Sequence, residues 1–323
     1  MKICIIGGSG FIGTHLINKL NESSNNTIVF DKNICASTKN SIIGDIRDKS
    51  ALVKALSGVK VIYNLAAEHR DDVTPTSLYY DVNVQGARNI VEAAELNNIN
   101  KIIFTSTVAV YGLNKKIPDE SSPTEPFNHY GQSKLQAEAV FNEWVTKSSD
   151  HTLVTVRPVV IFGEGNKGNV YNLIKQIKSS KFLMVGLGEN CKSMAYVGNI
   201  ANFLASATEF GPGKHLFNFA TKPDMTVREL VSFVRTELGM TAPLPKLPYS
   251  LGLAGGFTFD VLAKLTGKKF PISSIRIRKF CANTTVSTKA LDELGFKPPF
   301  TLQEGLNRMI ANLDQNIYFE GGG

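Results

Sequence analysis

The sequence has little cysteine and lacks any long apolar run near its start. Its cysteines form no CxxC pair and no cluster with histidine; they are Cys4, Cys35, Cys191 and Cys281. This distribution argues against a disulfide framework and a structural metal. The apolar stretch at the amino terminus already meets glycine at Gly7, so it is too short for a signal peptide or a membrane span. These absences predict a metal-free protein of the reducing cytoplasm.

The net charge of +7 is spread unevenly over the 323 residues. Between Thr241 and Phe280 there are seven lysines and arginines but a single acid, Asp260. This segment lacks both aromatic interleaving and a recognisable binding module, so nucleic acid is not an expected partner. The excess of positive charge therefore needs a local explanation.

Short β-branched segments alternate with longer amphipathic segments in the first half of the chain, which predicts a parallel sheet flanked by helices. The predicted strands are Lys2–Ile6, Thr27–Phe30, Ser41–Ile43, Val59–Leu65, Lys101–Ser106 and Leu153–Val156. The predicted helices are Phe11–Leu20, Ser50–Leu56, Leu78–Asn97 and Tyr130–Lys147. This alternation is typical of the α/β class with a doubly wound parallel (Rossmann) sheet.

A glycine-rich loop follows the first predicted strand. Gly7, Gly10 and Gly13 stand in this stretch, and Phe11 and Ile12 open the helix after it. Glycine lets the backbone approach a pyrophosphate, and the free N–H groups of a helix N-terminus favour an anion. The order of strand, glycine loop and helix therefore predicts a dinucleotide site, with a merely tight turn as the alternative.

An acid ends the second predicted strand. Asp31 is placed to accept hydrogen bonds from the adenosine ribose, and its charge would repel a 2′-phosphate. We therefore expect NAD rather than NADP as the cofactor, although Lys32 lies beside this acid. Asp45 and Ile46 follow the third strand and are candidates to hold the adenine; an N-cap role is the alternative for Asp45.

The pattern loses regularity after about Gly163, which indicates a smaller, mixed C-terminal substrate domain. We expect residues 1–163 to form the NAD-binding domain, with 193–220 returning to it because Met194–Val197 has the pattern of another strand. Residues 164–192 and 221–313 then form the substrate-binding domain. Residues 314–323 are a predicted tail that partly resembles a protease-site or linker remnant.

Tyr130 and Lys134 lie four residues apart, on one face of a predicted helix. A tyrosine with a pKa of about 10 is a poor base at neutral pH, but a neighbouring cation lowers that pKa by stabilising the phenolate. Thr107 follows the fifth predicted strand, at the carboxyl edge of the sheet where ligands bind in open α/β folds. The spacing alone also fits two surface residues; the hydroxyl at this edge favours a catalytic role.

Together these segments resemble the extended short-chain dehydrogenase/reductase superfamily, in its NAD-dependent epimerase/dehydratase family. The resemblance implies that Tyr130 is the base, that Lys134 tunes it and holds the nicotinamide ribose, and that Thr107 hydrogen-bonds the reacting sugar hydroxyl. The further cofactor contacts that it implies are Leu65, Ala66, Ala67 and Pro158.

Val108 and Ala109 follow Thr107, where sugar 4,6-dehydratases of this family carry Asp-Glu. Elimination of water needs that additional acid and base, so the sequence disfavours a dehydratase. A 4-epimerase needs only one base and a returning hydride, and the family resemblance favours it. A non-catalytic NAD-binding protein would have no need of Thr107, Tyr130 and Lys134 together.

Four further segments resemble the bacterial 4-epimerases that act on N-acetylglucosamine linked through diphosphate to undecaprenol. These segments are Ala67–Val73, Tyr79–Gly86, Phe127–Tyr130 and Lys192–Asn199. The resemblance implies a lipid-linked amino sugar as the substrate, in the synthesis of surface polysaccharide such as the O-antigen of lipopolysaccharide. A UDP-linked amino sugar is the alternative. The candidate substrate residues are Glu68, His69, Lys192 and Arg276.

Two features favour the lipid-linked sugar. Lys192 stands where nucleotide-sugar epimerases usually have Arg, whose fork grips a diphosphate at two points. The apolar segment Leu247–Phe259 precedes cations from Lys264 to Lys279, a combination that suits an anionic membrane surface; the alternative is a buried helix with a solvated basic flank. We expect a peripheral protein on the inner face of the bacterial cytoplasmic membrane, and a homodimer through helices such as 78–97 and 130–147.

Overall fold

A computed structural model describes residues 1–23, 25–70, 73–113, 115–267, 270 and 273–313. The strands are β1 (Lys2–Ile6), β2 (Asn26–Asp31), β3 (Ser41–Ile43), β4 (Val61–Asn64), β5 (Lys101–Thr105), β6 (Thr152–Pro158), β7 (Val160–Phe162), β8 (Met184–Val185), β9 (Cys191–Lys192), β10 (Met194–Tyr196), β11 (Gly213–Phe219), β12 (Met225–Thr226) and β13 (Lys246–Leu247). The helices are α1 (Phe11–Asn21), α2 (Lys49–Ala55), α3 (Ser77–Tyr80), α4 (Gly86–Leu96), α5 (His129–Val145), α6 (Asn169–Lys178), α7 (Val197–Ser206), α8 (Val227–Glu237), α9 (Tyr249–Thr266), α10 (Ser274–Cys281), α11 (Lys289–Glu293) and α12 (Leu302–Ala311).

The central sheet has seven parallel strands in the order β11-β6-β5-β4-β1-β2-β3. Successive side chains of β1 point to opposite faces: Ile3 and Ile5 join a core with α1 and α7, whereas Cys4 and Ile6 join a core with α2, α4 and α5. Helices therefore cover both faces, which is why β4 and β6 are buried over their whole lengths. The predicted doubly wound sheet is confirmed.

The six predicted strands of this sheet are present, each within two residues of its predicted ends. Three predicted helices match α1, α2 and α5 equally well. The fourth, Leu78–Asn97, is divided: α3 leads into a π-helical turn at Asp81–Gln85, and α4 continues from it. Asn83 lies in this wider turn.

The chain beyond β6 forms three two-stranded sheets, β7–β10, β8–β13 and β9–β12, and a further apolar core with α6, α8 and α12. Met194–Val197, predicted as a strand of the first domain, forms β10 but pairs with β7 outside the central sheet. The strand that does join the central sheet is β11, which the sequence pattern did not reveal; it lies at the edge and pairs with β6.

Within the described residues, no helix has both the length and the apolar character required to cross a membrane. In the same part of the chain, no three or more His, Cys, Asp or Glu side chains are grouped as metal ligands would be. The predicted tail, 314–323, lies outside the described residues.

Candidate active site

The glycine loop lies between β1 and α1 and is packed too closely for side chains. Gly7 has a φ of 80°, and a Cβ there would lie 2.5 Å from the amide nitrogen of Ala66. A Cβ on Gly13 would lie 2.5 Å from the carbonyl oxygen of Gly8, so α1 approaches the loop backbone directly. Gly10 is the N-cap, without a side-chain cap, and the first turn contains no acid. The amide groups at this helix end are thus available for an anion.

Asp31, at the end of β2, bonds the glycine loop with one carboxylate oxygen and the loop after β2 with the other. Its Oδ2 accepts a hydrogen bond from the Ser9 amide and its Oδ1 accepts one from the Asn33 amide, each at 3.0 Å. The Ser9 hydroxyl donates to the carbonyl oxygen of Asn33 at 2.8 Å, which ties the two loops together. The predicted ribose acceptor is therefore also a structural anchor of the loop.

Asp45 follows β3 and pairs with Arg47, whose Nη2 lies 2.7 Å from Oδ2. The hydrogen bonds from Arg47 lower the pKa of Asp45 to about 2, with Lys32 as a weaker contributor. The alternative N-cap role for Asp45 is wrong, because Asp48 caps α2 by accepting a hydrogen bond from the Ala51 amide at 3.0 Å. The two acids lie three residues apart, and the sequence pattern does not tell them apart.

Ile46 is buried beneath α4. A Cβ on Gly86 would lie 2.9 Å from its Cδ1 atom, and the Asn89 amide donates to its carbonyl oxygen at 3.0 Å. Leu65 and Ala66, which follow β4, are half-buried, and the Leu65 amide donates to the carbonyl oxygen of Ile6 at 2.9 Å. These contacts fix the backbone that surrounds the glycine loop.

The other cofactor contacts implied by the resemblance lie on the same sheet. Ala67 is half-buried in the stretch after β4, and Pro158 is the buried last residue of β6.

Tyr130 and Thr107 are brought together at the carboxyl edge of the sheet. Tyr130 is the second residue of α5, which Asn128 caps by accepting a hydrogen bond from the Gly131 amide at 2.8 Å. The side chain of Tyr130 hydrogen-bonds that of Thr107, whose hydroxyl also accepts the Ala109 amide at 3.2 Å. Burial of the phenol raises the pKa of Tyr130 to about 12, and the hydrogen bond with Thr107 opposes this increase.

Lys134 lies one turn further along α5 and is only 2% exposed. Its ammonium is 4.3 Å from the centroid of the Phe104 ring and donates no hydrogen bond to any residue that the structure describes. Burial lowers the pKa of Lys134 to about 7, against the attraction of Glu138. The prediction that a neighbouring cation lowers the pKa of Tyr130 is therefore wrong for these protein groups alone. Burial has the largest effect on the pKa of both side chains.

Two other polar atoms at this edge have no hydrogen-bond partner within the described chain: Oδ1 of Asn64, at the end of β4, and the hydroxyl of Ser106, just after β5. Both side chains are buried. A buried polar atom without a partner is costly, so these atoms mark space for a polar ligand. Sequence reasoning missed both, although their positions at the carboxyl ends of adjacent strands were a usable signal.

A matching model of the NAD dependent epimerase/dehydratase family covers residues 3–220. The chain belongs to this family. It is 49% identical over 319 residues to the N-acetyl-alpha-D-glucosaminyl-diphospho-ditrans,octacis-undecaprenol 4-epimerase of Escherichia coli O157:H7, an alignment covering 96% of this chain and 94% of that enzyme.

Two solved structures of sugar 4-epimerases have the same fold. The UDP-glucuronic acid 4-epimerase of Bacillus cereus, in complex with NAD, matches with a TM-score of 0.77 at 22% identity over 98% of this chain and 99% of that one. The UDP-N-acetylglucosamine 4-epimerase of Bacillus cereus matches with a TM-score of 0.77 at 18% identity, over 96% of each chain.

NAD is the cofactor of this epimerase/dehydratase family member, and the protein groups fit it. The close-packed glycines leave room for a pyrophosphate at the N-terminus of α1. The ammonium of Lys134 and the partnerless atoms of Asn64 and Ser106 are unsatisfied polar groups along the same edge. The sheet thus supplies both the phosphate cradle and the polar wall that a dinucleotide needs.

The predicted substrate residues are less closely grouped. Glu68 pairs with Arg70, which lowers the pKa of the Glu68 carboxyl, and His69 is exposed. The Asn83 amide donates to the carbonyl oxygen of Glu68 at 3.0 Å and to the Ser133 hydroxyl at 2.8 Å. The π-helical turn therefore ties the Glu68 loop to α5; this bridge by Asn83 was also missed in the sequence.

The ammonium of Lys192 is hydrogen-bonded within the protein. Its Nζ donates to the carbonyl oxygens of Lys279 at 2.9 Å and Ala282 at 2.6 Å, and burial lowers its pKa to about 8. Arg276 is exposed on α10. Lys192 thus fixes the end of α10, the helix that carries Arg276.

A buried ion pair stands behind the catalytic helix. Arg157 on β6 donates to both carboxylate oxygens of Glu138 on α5, at 2.9 and 2.6 Å, and to the Tyr111 hydroxyl at 2.8 Å. Tyr111 in turn donates to Oδ1 of Asn218 on β11 at 2.8 Å. The network connects α5 to the sheet, one helical turn beyond Lys134.

Proposed function

We propose that this protein is an NAD-dependent 4-epimerase that interconverts N-acetylglucosaminyl- and N-acetylgalactosaminyl-diphospho-undecaprenol through a transient 4-keto sugar. It is an isomerase. The observation that carries the proposal is the hydrogen bond between Tyr130 and Thr107 beside the buried ammonium of Lys134, at the edge where the cofactor fits. The 49% identity with the lipid-linked 4-epimerase, over 96% of this chain, supports the choice of substrate.

In this mechanism Thr107 and Tyr130 hold the 4-hydroxyl of the sugar, and Tyr130 as phenolate takes its proton. Bound NAD would supply the acceptor for the hydride from C4 and the donor for its return. Tyr130 gives the proton back after the keto sugar has turned in the site, so C4 is inverted without net oxidation. Lys134 is placed to hold the ribose beside the phenol and to stabilise the phenolate by its charge.

The residues after Thr107 support epimerisation over dehydration. Val108 and Ala109 open a short 3₁₀ helix and carry neither an acid nor a base. An elimination would require such groups at the neighbouring carbon atoms. The protein therefore returns the sugar intact, for use in bacterial surface polysaccharide.

The proposal includes a division into two domains. Residues 1–163 with 193–220 bind NAD, and residues 164–192 with 221–313 bind the substrate. Glu68 and His69 line the sugar pocket, while Lys192 and Arg276 lie towards the diphosphate. Because undecaprenol is confined to the bilayer, the enzyme acts as a peripheral protein at the inner face of the cytoplasmic membrane. A homodimer through α4 and α5 stays a prediction for sedimentation analysis.

The test compares two substrates. Purified enzyme is incubated separately with undecaprenyl-diphosphate-linked N-acetylglucosamine in membranes and with UDP-N-acetylglucosamine, and the epimers are resolved. We expect conversion of the lipid-linked sugar. Conversion of the UDP-sugar alone would assign the same chemistry to a nucleotide sugar, and conversion of neither would overturn the proposal.

A further inference from the structure

Helix α9 packs most closely against the rest of the protein at two glycines. Its only buried residues are Gly252 and Gly256. A Cβ on Gly252 would lie 2.6 Å from Cγ1 of Val185, and one on Gly256 would lie 2.8 Å from the amide nitrogen of Ser274, the first residue of α10. At these two positions the backbone of α9 packs directly against the protein, because a side chain would not fit.

The opposite side of α9 carries large apolar residues into solvent. These residues, which we call the docking face, are Leu251, Phe257, Val261, Leu262 and Leu265. Their spacing places them within one arc of the helix, facing away from the two glycines. Leu251 is 59% exposed and Leu265 is 78% exposed. An exposed apolar stripe along a whole helix is the mark of an interaction surface.

The surroundings of the docking face are cationic. Lys264 is exposed on α9, and Arg278 and Lys279 are exposed on α10. The guanidinium carbon of Arg278 lies 5.5 Å from the centroid of the Phe257 ring, so charge and apolar surface are adjacent. The one acid of the segment, Asp260, accepts a hydrogen bond from the Ser274 amide at 3.1 Å and so holds the two helices together.

This combination fits an anionic bilayer better than a second copy of the chain. Two such faces would bring like charges together, which opposes self-association. A bilayer with acidic headgroups instead accepts apolar side chains and balances lysine and arginine at the same surface.

The second helix of the pair leads towards the active site. The ammonium of Lys279, near the end of α10, lies 5.3 Å from the centroid of the Phe127 ring. Phe127 is exposed and stands three residues before Tyr130. The carbonyl oxygen of Lys279 is also one of the two acceptors of Lys192. A cationic helix therefore connects the docking face with the approach to the site.

We infer that α9 and α10 are the membrane-docking element of this protein, with the docking face seated among the headgroups of an anionic bilayer. On this inference, which rests on the proposed function for its substrate, α10 offers cations to the diphosphate of the carrier lipid between the bilayer and Tyr130. The docking face contacts lipid, and the sugar remains in the protein.

Vesicle flotation tests the surface without requiring turnover. The intact protein should bind phosphatidylcholine vesicles that contain phosphatidylglycerol, and less so at high salt. The double variant Val261→Gln/Leu265→Gln should bind at least about tenfold more weakly, because two apolar side chains no longer enter the interface. Leu294→Gln, at an exposed leucine after α11, is the control and should bind normally.

Two variants that remove cations separate the contribution of the charges from that of the apolar side chains. Lys264→Gln/Arg278→Gln should weaken binding only to the anionic vesicles, whereas Lys60→Gln/Lys297→Gln, at exposed lysines elsewhere, should not. Equal vesicle binding by the docking-face variant and the intact protein would overturn the inference. So would sedimentation showing that the docking face holds two copies together.

Turnover distinguishes this inference from the proposed function. The intact enzyme should epimerise both undecaprenyl-linked substrate in vesicles and a short-chain, water-soluble prenyl-diphosphate analogue. Val261→Gln/Leu265→Gln should lose at least about tenfold on the vesicle substrate and keep its rate on the soluble one. If the intact enzyme converts neither, the proposed function fails; if the variant converts both normally, only the docking element fails.

Discussion

The ammonium of Lys134 lies 4.3 Å from the centroid of the Phe104 ring and, across the described residues, has no hydrogen-bond acceptor. Burial disfavours the charged form of this lysine and lowers its pKa to about 7. The fold thus keeps a cation ready for a ligand at a cost in stability, as binding sites commonly do.

Replacing Lys134 with Met should stabilise the protein without cofactor. The change removes a buried charge but keeps most of the apolar stem, and we expect a gain of about 1–3 kcal/mol in the free energy of unfolding at neutral pH. Urea unfolding of the two proteins measures the difference. Epimerase activity should be lost at the same time.

The stability gained by replacing Lys134 with Met should decrease as the pH rises. The folded pKa of Lys134, about 7, lies below its ordinary value of 10.5. Between these values the unfolded chain binds more protons, so the penalty on the folded protein is full below pH 7 and fades as pH rises towards 10.5. The stability difference between Lys134→Met and the parent should shrink over this window; a constant difference would contradict the account.

Exchanging Tyr130 for Phe should abolish catalysis and leave the fold intact. Loss of the proposed base is expected to lower turnover by at least about 10²-fold, because the phenol is the group that the mechanism uses to take the hydroxyl proton. Turnover, NAD affinity and circular dichroism should be measured together. Tyr171→Phe on α6 is the control, and near-normal turnover by Tyr130→Phe would remove Tyr130 from the mechanism.

Replacing Asp31 with Ala should weaken NAD binding. The change removes the acceptor for the Ser9 and Asn33 amides as well as the charge that excludes a 2′-phosphate. We expect at least about a tenfold loss in NAD affinity and a smaller preference over NADP, measured by calorimetric titration. Asp292→Ala on α11 should bind both as before. Unchanged NAD affinity together with an unchanged preference over NADP would show that Asp31 serves neither purpose.

Breaking the buried ion pair should be far more costly than breaking an exposed one. Glu138→Ala leaves the Arg157 charge buried and should lower the free energy of unfolding by about 3–5 kcal/mol. Glu92→Ala breaks the exposed pair with Lys49, which is worth about 1 kcal/mol or less. Similar losses in the two variants, measured by urea unfolding, would refute the claim that this network anchors α5.

Local signals in the sequence were sufficient for six of the seven strands of the central sheet and for the core of the site. The glycine loop and the Tyr130–Lys134 spacing depend on contiguous residues, so they could be predicted. Thr107 could be placed at the carboxyl edge because its strand was evident. The edge strand β11 was missed because its half-exposed, polar beginning lacks the continuous apolar pattern of a buried strand.

Other features depend on contacts between distant segments. Asn83 reaches Ser133 only because the helix widens into a π turn, which no apolar periodicity indicates. The pKa of Tyr130 depends on how deeply the phenol is buried. The outward orientation of α9 depends on Gly252 and Gly256 packing against the protein, whereas composition alone favoured a buried helix with a solvated basic flank.

The most direct test follows the hydrogen at C4. Undecaprenyl-diphosphate-linked N-acetylglucosamine carrying deuterium at C4 is epimerised in ordinary water, and the released N-acetylgalactosamine is examined by mass spectrometry and NMR. The account predicts that the deuterium stays at C4, because the same hydride leaves and returns within the site. A product that has exchanged this position with solvent hydrogen, or no product at all, would contradict it.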